Sequence, residues 1–386
     1  MKLGFDAKRF FNNFTGLGNY SRFVIDALSE YASKNEYFLF TPKAKDHPEY
    51  RATLRRSNLH VVTPPAGYRF FAMRSLWRTW GISKEPSVKA LDLFHGLSQE
   101  LPINLPAKVR KVVTVHDLIF IRYPELYNPM DVRIYKAKVK AACNHADRIL
   151  ATSNQTKQDV VEFLKADPAK VEVTYQGCHP NFKKEISSSH IQSIKTKYKL
   201  PAEYILNVGT IEARKNVSLL VQALALLPKD LRTHIVIIGR STDYKKVIIE
   251  AAHREGVSEW LIFLHGVSFE DLPAIYQGAR VFVYPSIFEG FGIPIVEALE
   301  SSVPVISTTG SCLSEAGGPG SVYVNPHDPR GMADQIQKIL SHEEIRKQMI
   351  DLGVTARLVA NDQFFIRSGA IAQLAHFRNL VQGGAG

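Results

Sequence analysis

Short runs of β-branched and aromatic residues alternate with helix-period segments along nearly the whole chain, and that rhythm narrows the fold more than any single residue does. Each run is too brief for a helix and too apolar to face water. Strands buried on both faces and joined by helices satisfy both limits, which means parallel sheets with helices packed over them. In the first half the expected strands are Lys2 to Phe5, Tyr37 to Thr41, Leu59 to Val62, Leu91 to His95, Lys111 to His116, Arg148 to Thr152 and Val171 to Thr174. In the second half they are Tyr204 to Val208, His234 to Ile238, Trp260 to Leu264, Val281 to Tyr284, Val303 to Ile306 and Val322 to Val324. Around Lys183 to Ser189 the composition turns polar and the periodicity fades, so a boundary is expected between Phe182 and Pro201. A chain of 386 residues, 45% hydrophobic, can bury two ordinary cores. The expected class is α/β, with two doubly wound domains facing across a cleft and ligands outside the carboxyl ends of the strands. No solenoid-like repeat is present, and the terminal Gly383-Gly384-Ala385-Gly386 reads as a flexible tail.

The segment Ser286-Ile287-Phe288-Glu289-Gly290-Phe291-Gly292-Ile293-Pro294-Ile295-Val296-Glu297 joins a strand exit, a glycine loop, a helix start and two carboxylates. Pro294 suits the first turn of a helix, where its missing N–H costs nothing. Gly290 and Gly292 let the backbone approach a ligand, and the amides of Phe291, Gly292 and Ile293 would point at an anion or a sugar hydroxyl. Glu289 on the loop and Glu297 in the helix can grip two ends of one polar ligand without touching each other. Taken alone, the pair also fits a cap and a solvated helix residue.

A second segment of this kind runs from Tyr204 to Thr210, a strand closing on Gly209, and continues into Arg214-Lys215-Asn216. Asn216 suits an N-cap before a helix through Val217, Leu220, Val221 and Leu224. Arg214 and Lys215 then lie beyond a strand's carboxyl end, where open α/β sheets place ligands. A planar fork beside a mobile point charge suits a diphosphate, although two ordinary surface cations would read the same way in isolation.

In combination these motifs, with Thr15 to Tyr20 near the start, Asp92 to Gly96 and Val115-His116-Asp117 in the middle and Val303 to Ser307 late, resemble the retaining GT-B-fold glycosyltransferases of family 4 (group 1), mannosyltransferase-like. The resemblance implies a Rossmann-like acceptor-binding domain over 1–185 and a Rossmann-like nucleotide-sugar-binding domain over 200–362. It also implies a C-terminal helix over 363–382, with Phe364 to Leu380 as its core, crossing back to the first domain. By the same resemblance the amides of Gly16, Gly18 and the turn around Leu313 approach the donor diphosphate. His116 bonds a donor-sugar hydroxyl, Asp117 lines the acceptor side, and Gly209 and Thr210 belong to the donor loop. Arg214 and Lys215 stabilise the departing charge. Glu289 with Gly290 to Ile293 orients the transferred sugar, Glu297 accepts the ribose hydroxyls, and loops near Arg240 and Val267 select the base. A lone strand-end His is otherwise more often structural. The glycines Gly16 and Gly18 lack the third member of a dinucleotide fingerprint, which argues against a dehydrogenase.

The expected activity is transfer of a hexose, mannose favoured, from a nucleoside-diphosphate sugar to a glycan or lipid-linked acceptor. GDP-mannose leads among donors, with UDP-sugars next. No cofactor is expected, and without an Asp-rich motif no metal either. A catalytically silent nucleotide-sugar-binding partner and a GT-B-fold epimerase remain as other classes.

The formal charge of +11 has two further readings. Tyr68 to Trp80 places Phe70, Met73, Trp77 and Trp80 at helical spacing among Arg69, Arg74 and Arg78, so this stretch either lies on an anionic membrane or packs into the first domain's core. Nucleic acid is not expected, since no binding motif accompanies the charge. Cys143, Cys178 and Cys312 are widely spaced and odd in number, which suits a reducing compartment. No apolar run approaches the roughly 18 residues of a membrane span, and Met1 to Asp6 leads straight into a strand instead of a signal peptide. A cytoplasmic protein is expected, with a peripheral position at the inner face of the membrane as the membrane reading's corollary.

Overall fold

A computed structural model describes residues 1–65, 68, 71–359, 373 and 377–382. Each expected strand is present. The first sheet contains β1 (Lys2–Asp6), β2 (Glu36–Phe40), β3 (Leu59–Val62), β4 (Leu93–Gly96), β5 (Arg110–Val115), β6 (Arg148–Ala151) and β7 (Val171–Val173), in the order β3-β2-β1-β4-β5-β6-β7. The second contains β8 (Tyr204–Val208), β9 (His234–Ile238), β10 (Leu261–Leu264), β11 (Val281–Tyr284), β12 (Val305–Thr308) and β13 (Val322–Val324), in the order β10-β9-β8-β11-β12-β13. All neighbours are parallel. Both sheets run outward from a first strand, return and continue on its other side. This is the doubly wound, Rossmann-like topology of the GT-B fold, with switch points at β1/β4 and β8/β11.

Strand ends shift where local hydrogen bonds compete. Leu91 closes a 3-10 turn on Val88, which delays β4 to Leu93, and Val303 bonds back to Ala298 while Pro304 has no N–H, which delays β12 to Val305. The division of the chain falls at Gln176/Gly177, earlier than the polar stretch suggests. The reason is packing. Phe182 is fully buried, with ring centroids 5.5 Å from Tyr276 and 6.0 Å from Phe269. The helix Ser188–Lys197 is tied to the second unit through Lys197 Nζ, 2.6 Å from Asp271 Oδ2.

The first unit closes over Leu3, Phe5, Phe10, Phe11, Val24, Leu28, Tyr37 and Leu93. Of the expected helix Phe364 to Leu380, the described residues 373 and 377–380 are helical and belong to this unit. Phe377 is fully buried edge-on to His95 at 5.4 Å, and Gln373 Nε2 donates to the Tyr20 hydroxyl at 3.2 Å. The other residues of that helix and the tail Gly383 to Gly386 lie outside the described residues. The second unit closes over Ile205, Leu220, Val221, Leu224, Ile237, Val281, Val283 and Ile306. Asn207, 3% exposed, donates from Nδ2 to the Val283 carbonyl at 2.8 Å and so ties β8 to β11 within that core. Among the described residues no helix is long and apolar enough to cross a membrane.

Within the Tyr68 to Trp80 stretch Trp77 enters the core as one of the two readings expects, and other apolar side chains stay exposed; Arg69 and Phe70 lie outside the described residues. The helix Phe71–Leu76 passes into a π-helical turn, Trp77–Gly81. Trp77 is buried and donates its Nε1 to Glu85 at 2.7 Å, while Arg78 is held by Asp6 Oδ2 at 2.5 Å and by Glu100. Met73, Leu76 and Trp80 are 38%, 44% and 46% exposed.

Gly16 and Gly18 are the opening residues of the helix Gly16–Tyr31, not a loop that precedes it, and a short helix, Lys8–Asn12, separates them from β1. The Gly18 amide is turned inward onto Asn13 Oδ1 (3.1 Å) and the Thr15 carbonyl (2.9 Å). A Cβ on Gly18 would stand 1.8 Å from the Asn13 carbonyl oxygen, whereas one on Gly16 would meet nothing within 4 Å. Gly18→Ala is therefore expected to destabilise the protein by about 1–3 kcal/mol, and Gly16→Ala to leave stability unchanged or raise it by about 0.4–1 kcal/mol. Urea unfolding of both variants checks this; equal effects would contradict the placement.

Candidate functional site

Two loops leave the adjacent strands β8 and β11 at the switch point of the second unit, and between them they build one charged cluster. Beyond β8 the backbone is crowded: a Cβ on Gly239 would fall 1.9 Å from the Gly209 carbonyl oxygen. Past Thr210, the Ile211 amide donates to the Arg240 carbonyl at 3.0 Å, so the loops after β8 and β9 run side by side. A 3-10 turn, Ala213–Lys215, ends on Asn216 in the left-handed conformation (φ 54°). Asn216 precedes the helix Val217–Leu226 as expected, but its side chain makes no cap bond; its Nδ2 goes instead to the Pro326 carbonyl at 2.9 Å. Beyond β11, Ile287 N donates to the Arg214 carbonyl at 2.9 Å. The second loop is thereby stitched onto the first.

Glu289, 8% exposed, is the hub of the cluster. Its Oε1 accepts from Lys215 Nζ at 2.5 Å, Ser286 Oγ at 2.5 Å and Tyr284 OH at 3.1 Å. Its Oε2 lies 2.8 Å from Arg214 Nη1, which also donates to the Phe288 carbonyl. Lys215 Nζ donates to the Tyr284 hydroxyl as well, at 2.8 Å. Burial alone would raise the Glu289 carboxyl; Lys215 and Arg214 outweigh it and bring it down to about 2. Burial would likewise lower the Arg214 guanidinium, and Glu289 beside it instead raises it. Burial, and then the Glu289 charge, push the Tyr284 phenol well above its usual range. One enclosed carboxylate thus serves two cations. A second carboxylate, Glu212 Oε1, reaches Arg214 Nη2 at 2.7 Å, but from a side chain 39% exposed. The inner cluster keeps an excess of positive charge.

The glycine loop turns away from this hub into the next helix. Cys312 Sγ donates to the Glu289 carbonyl at 3.0 Å and lies 3.3 Å from the Phe291 carbonyl, so it bridges the two sides of Gly290. Gly292 sits at φ 111° as the N-cap of the helix Ile293–Glu300, with Pro294 in the first turn. A Cβ there would be strained by that φ and would crowd Leu313 Cδ2 at 3.2 Å. The Ile293 and Leu313 helix starts are therefore brought together. Glu297 accepts from the Tyr276 hydroxyl at 2.9 Å. Burial raises its carboxyl to about 7, with the Tyr276 hydrogen bond acting the other way. Among the described residues no hydrogen bond joins Glu297, Arg240 or Val267 to the Glu289 hub. Arg240 is exposed and Val267 half-buried, in the loops after β9 and β10.

In the first unit, His116 follows β5 and is 6% exposed. Its Nε2 donates to the Leu97 carbonyl at 2.8 Å and its Nδ1 accepts from Gln176 Nε2 at 2.9 Å, so both ring nitrogens are engaged. Burial lowers it to about 4, and the ring is neutral at physiological pH. Asp117 Oδ1 accepts from the Ile119 amide at 3.1 Å at the start of the turn Ile119–Arg122.

The clustering of these motifs has counterparts in known proteins. Residues 16–182 match the family model described as Glycosyltransferase Family 4, and residues 190–353 match Glycosyl transferases group 1. The chain belongs to the family 4, group 1 glycosyltransferases. It is similar to O-antigen chain mannosyltransferase B of Escherichia coli, with 29% identity over 356 residues that cover 86% of this chain and 89% of that protein. It is also similar to the serotype-specific mannosyltransferase WbdA of Escherichia coli, at 30% identity over 272 residues, 68% of this chain but 33% of that longer protein. Anabaena HepE, solved in complex with UDP, shares the fold at TM-score 0.72 and 18% identity, over 97% of this chain and 99% of that one.

For this glycosyltransferase, sequence reasoning named the charged residues and missed the neutral ones that hold them. Tyr284, Ser286 and Tyr276 bond the two carboxylates, and Leu97 and Gln176 bond His116. Tyr284 had a usable signal: it ends β11 two residues after Phe282, on the same face, and the two rings stack at 5.9 Å. The others depend on register and turn geometry. Because Glu297 stands at about 7 when folded against 4.5 ordinarily, the unfolded chain ionises first, and its contribution to stability falls as pH rises from 4.5 to 7. Glu289 has the opposite sign: its contribution is present above 4.5 and is lost as pH falls toward about 2. Glu297→Gln is therefore expected to gain about 1–3 kcal/mol over the parent at alkaline pH and to lose that gain on acidification to pH ~4.5. Urea unfolding at the two pH values checks it; a difference independent of pH would contradict the shift.

Proposed function

We propose that this glycosyltransferase moves a hexose, mannose in the first place, from a nucleoside-diphosphate sugar to a glycan or lipid-linked acceptor in cell-surface polysaccharide synthesis, with retention of configuration and without a divalent metal. The observation that carries the reading is the Arg214 and Lys215 pair sharing one buried carboxylate. Its residual positive charge lies at the switch point where doubly wound sheets bind ligands, and a diphosphate completes it. Lys215 commits two of its three N–H donors to Tyr284 and Glu289 among the described residues. The third is available to a phosphate oxygen.

In the proposed step the acceptor hydroxyl oxygen bonds to the anomeric carbon as that carbon's bond to the β-phosphate oxygen breaks. The bonding pair goes to the departing phosphate, which also takes the hydroxyl proton, so attack and departure share one face. Arg214 and Lys215 stabilise the charge that develops there. Glu289 does not act as nucleophile or base in this reading, because both of its oxygens are already occupied by donors and its carboxyl stands at about 2. Glu289 instead fixes the two cations and the loop beside the transferred sugar, and Glu297 holds the ribose. His116 reaches a sugar hydroxyl by exchanging Gln176 for it at Nδ1.

The names of the relatives favour mannose and an O-antigen type of acceptor. GDP-mannose is the leading donor; UDP-sugars stand second, supported by the UDP bound to HepE. The site of action in this reading is the cytoplasmic face of the membrane, where a lipid-linked glycan is extended.

Thermal stabilisation by GDP-, UDP-, ADP- and dTDP-sugars, with chelator in place of metal, tests donor binding, since a ligand held only by the folded state raises its stability. A shift confined to one nucleotide series, GDP first, is expected, with transfer lowered about 100- to 1,000-fold in Lys215→Ala. No shift with any donor, or near-normal turnover in Lys215→Ala, would overturn the assignment.

A further inference from the structure

The first unit carries a charged cluster at its own switch point, and the transfer step proposed above leaves it unused. Asp6 closes β1 and Glu100 lies just beyond β4, the two strands that meet there. Together they clamp Arg78, with Asp6 Oδ2 2.5 Å from Arg78 Nη2 and Glu100 on Nη1. The remaining carboxylate oxygens are also engaged: Asp6 Oδ1 accepts from the Lys8 amide at 3.2 Å, and Glu100 Oε1 stands 3.5 Å from Lys138 Nζ. Arg78 is delivered by the π-helical turn Trp77–Gly81, a geometry frequent at functional sites. Gln99, beside Glu100, is held at φ 63°, and its Nε2 donates to the Asp117 carbonyl at 2.9 Å, which ties the loop after β4 to the loop after β5.

Lys8 and Arg9 have no such partners. Both are half-buried, and neither side chain makes a hydrogen bond or an ion pair among the described residues. Burial first and Arg78 next lower the Lys8 ammonium; Glu100 opposes them and Arg9 adds to them. At His116 burial leads in keeping the ring neutral, and the Arg9 charge acts in the same direction. Four cations, Lys8, Arg9, Arg78 and Lys138, thus meet two carboxylates, Asp6 and Glu100, beside a neutral imidazole. Arg78 and Lys138 absorb those carboxylates, so the charge of Lys8 and Arg9 is left over.

We propose that Lys8 and Arg9 form a second anion site, which takes a phosphate group carried by the acceptor. Half-buried like charges with no carboxylate to offset them weaken the fold, and an arriving anion relieves that repulsion. A guanidinium fork beside a mobile ammonium suits phosphate oxygens. The attraction lies in the side chains, since the helix Lys8–Asn12 has five residues and little dipole of its own. Its place, beyond the carboxyl ends of β1 and β4, is where a doubly wound sheet takes a ligand. Arg78 is the scaffold here, because it occupies the carboxylates that would otherwise neutralise Lys8. The phosphate can come from an ester on the glycan or from the diphosphate that joins a glycan to a lipid. Its assignment to the acceptor rests on the proposed transfer reaction, but its test requires no turnover.

The experiment is limited acetylation of the native protein, with the rate at each lysine read by peptide mass spectrometry. Methyl phosphate stands for an ester on the glycan, and symmetric dimethyl diphosphate for the linkage to lipid. One or both are expected to slow acetylation of Lys8 about fivefold or more, while the exposed Lys229 reacts as before. Whichever probe protects identifies the source. Protection is expected to disappear in Arg9→Gln, to return in part in Arg9→Lys, and to persist in Arg214→Met/Lys215→Met. Urea unfolding of Arg9→Gln is expected to match or exceed the parent, which separates lost binding from lost folding. No protection by either probe, equal slowing at Lys229, or loss of protection in Arg214→Met/Lys215→Met would overturn the inference. Protection of Lys8 by GDP as strong as that by the two phosphates would overturn it as well, since the site would then belong to the donor. If the probes protect Lys8 while no nucleotide sugar binds, the donor assignment fails and the anion site stands.

Discussion

A single carboxylate, that of Glu289, holds two cations in a place where water is largely excluded, and much of the second unit's switch-point edge is organised by that fact. Removing two cations and a carboxylate from water costs several kcal/mol per ion, and the arrangement persists because both oxygens of the carboxylate meet donors of the two cations. Lys215, Arg214, Tyr284 and Ser286 converge on Glu289 from the two loops that leave β8 and β11. The loops are bonded to each other through the Arg214 carbonyl before the charges meet, so the cluster inherits its geometry from adjacent parallel strands. Positions set by sheet register need not be rebuilt when a ligand arrives, which is what electrostatic preorganisation requires.

The two carboxylates of this edge are tuned in opposite directions. Glu289 meets cations and drops to about 2; Glu297 meets only a tyrosine hydroxyl and rises to about 7. Burial is the common cost, and the charge of the neighbour decides its sign. A carboxylate committed to cations makes a permanent scaffold. One poised near neutrality with a single donor retains acceptor capacity for hydroxyl groups, which suits the ribose role proposed for it.

Much of the fold was legible because its signal is periodic and local. The strands Leu59 to Val62, Tyr204 to Val208, His234 to Ile238 and Val281 to Tyr284 occupy the spans that their apolar runs mark out, because the polar residues within them, His60, Asn207 and His234, stand singly among apolar neighbours. The ends of β4 and β12 moved because backbone hydrogen bonds at Leu91 and Val303 are not written in hydrophobicity. The helix Lys8–Asn12 is too short to show a period, and its presence converts Gly16 and Gly18 from a loop into a helix start. At the site the charged residues were readable from spacing, yet the sharing of Glu289 by Arg214 and Lys215 was not. That contact joins residues 74 positions apart for Lys215 and depends on how two loops are stitched together. His116 shows the same limit, since its partners Leu97 and Gln176 follow from strand order.

The central claim is that the excess charge on Arg214 and Lys215 is a receptor for the second phosphate of a nucleotide. Its most direct test is the ratio of nucleoside-diphosphate to nucleoside-monophosphate affinity, measured by titration calorimetry without metal in the native protein and in Arg214→Met/Lys215→Met. A ratio of at least about tenfold in the native protein, collapsing toward unity in the variant while monophosphate affinity stays comparable, is the predicted result. The same ratio in both proteins would show that the cluster supports the loops and leaves the diphosphate to other residues.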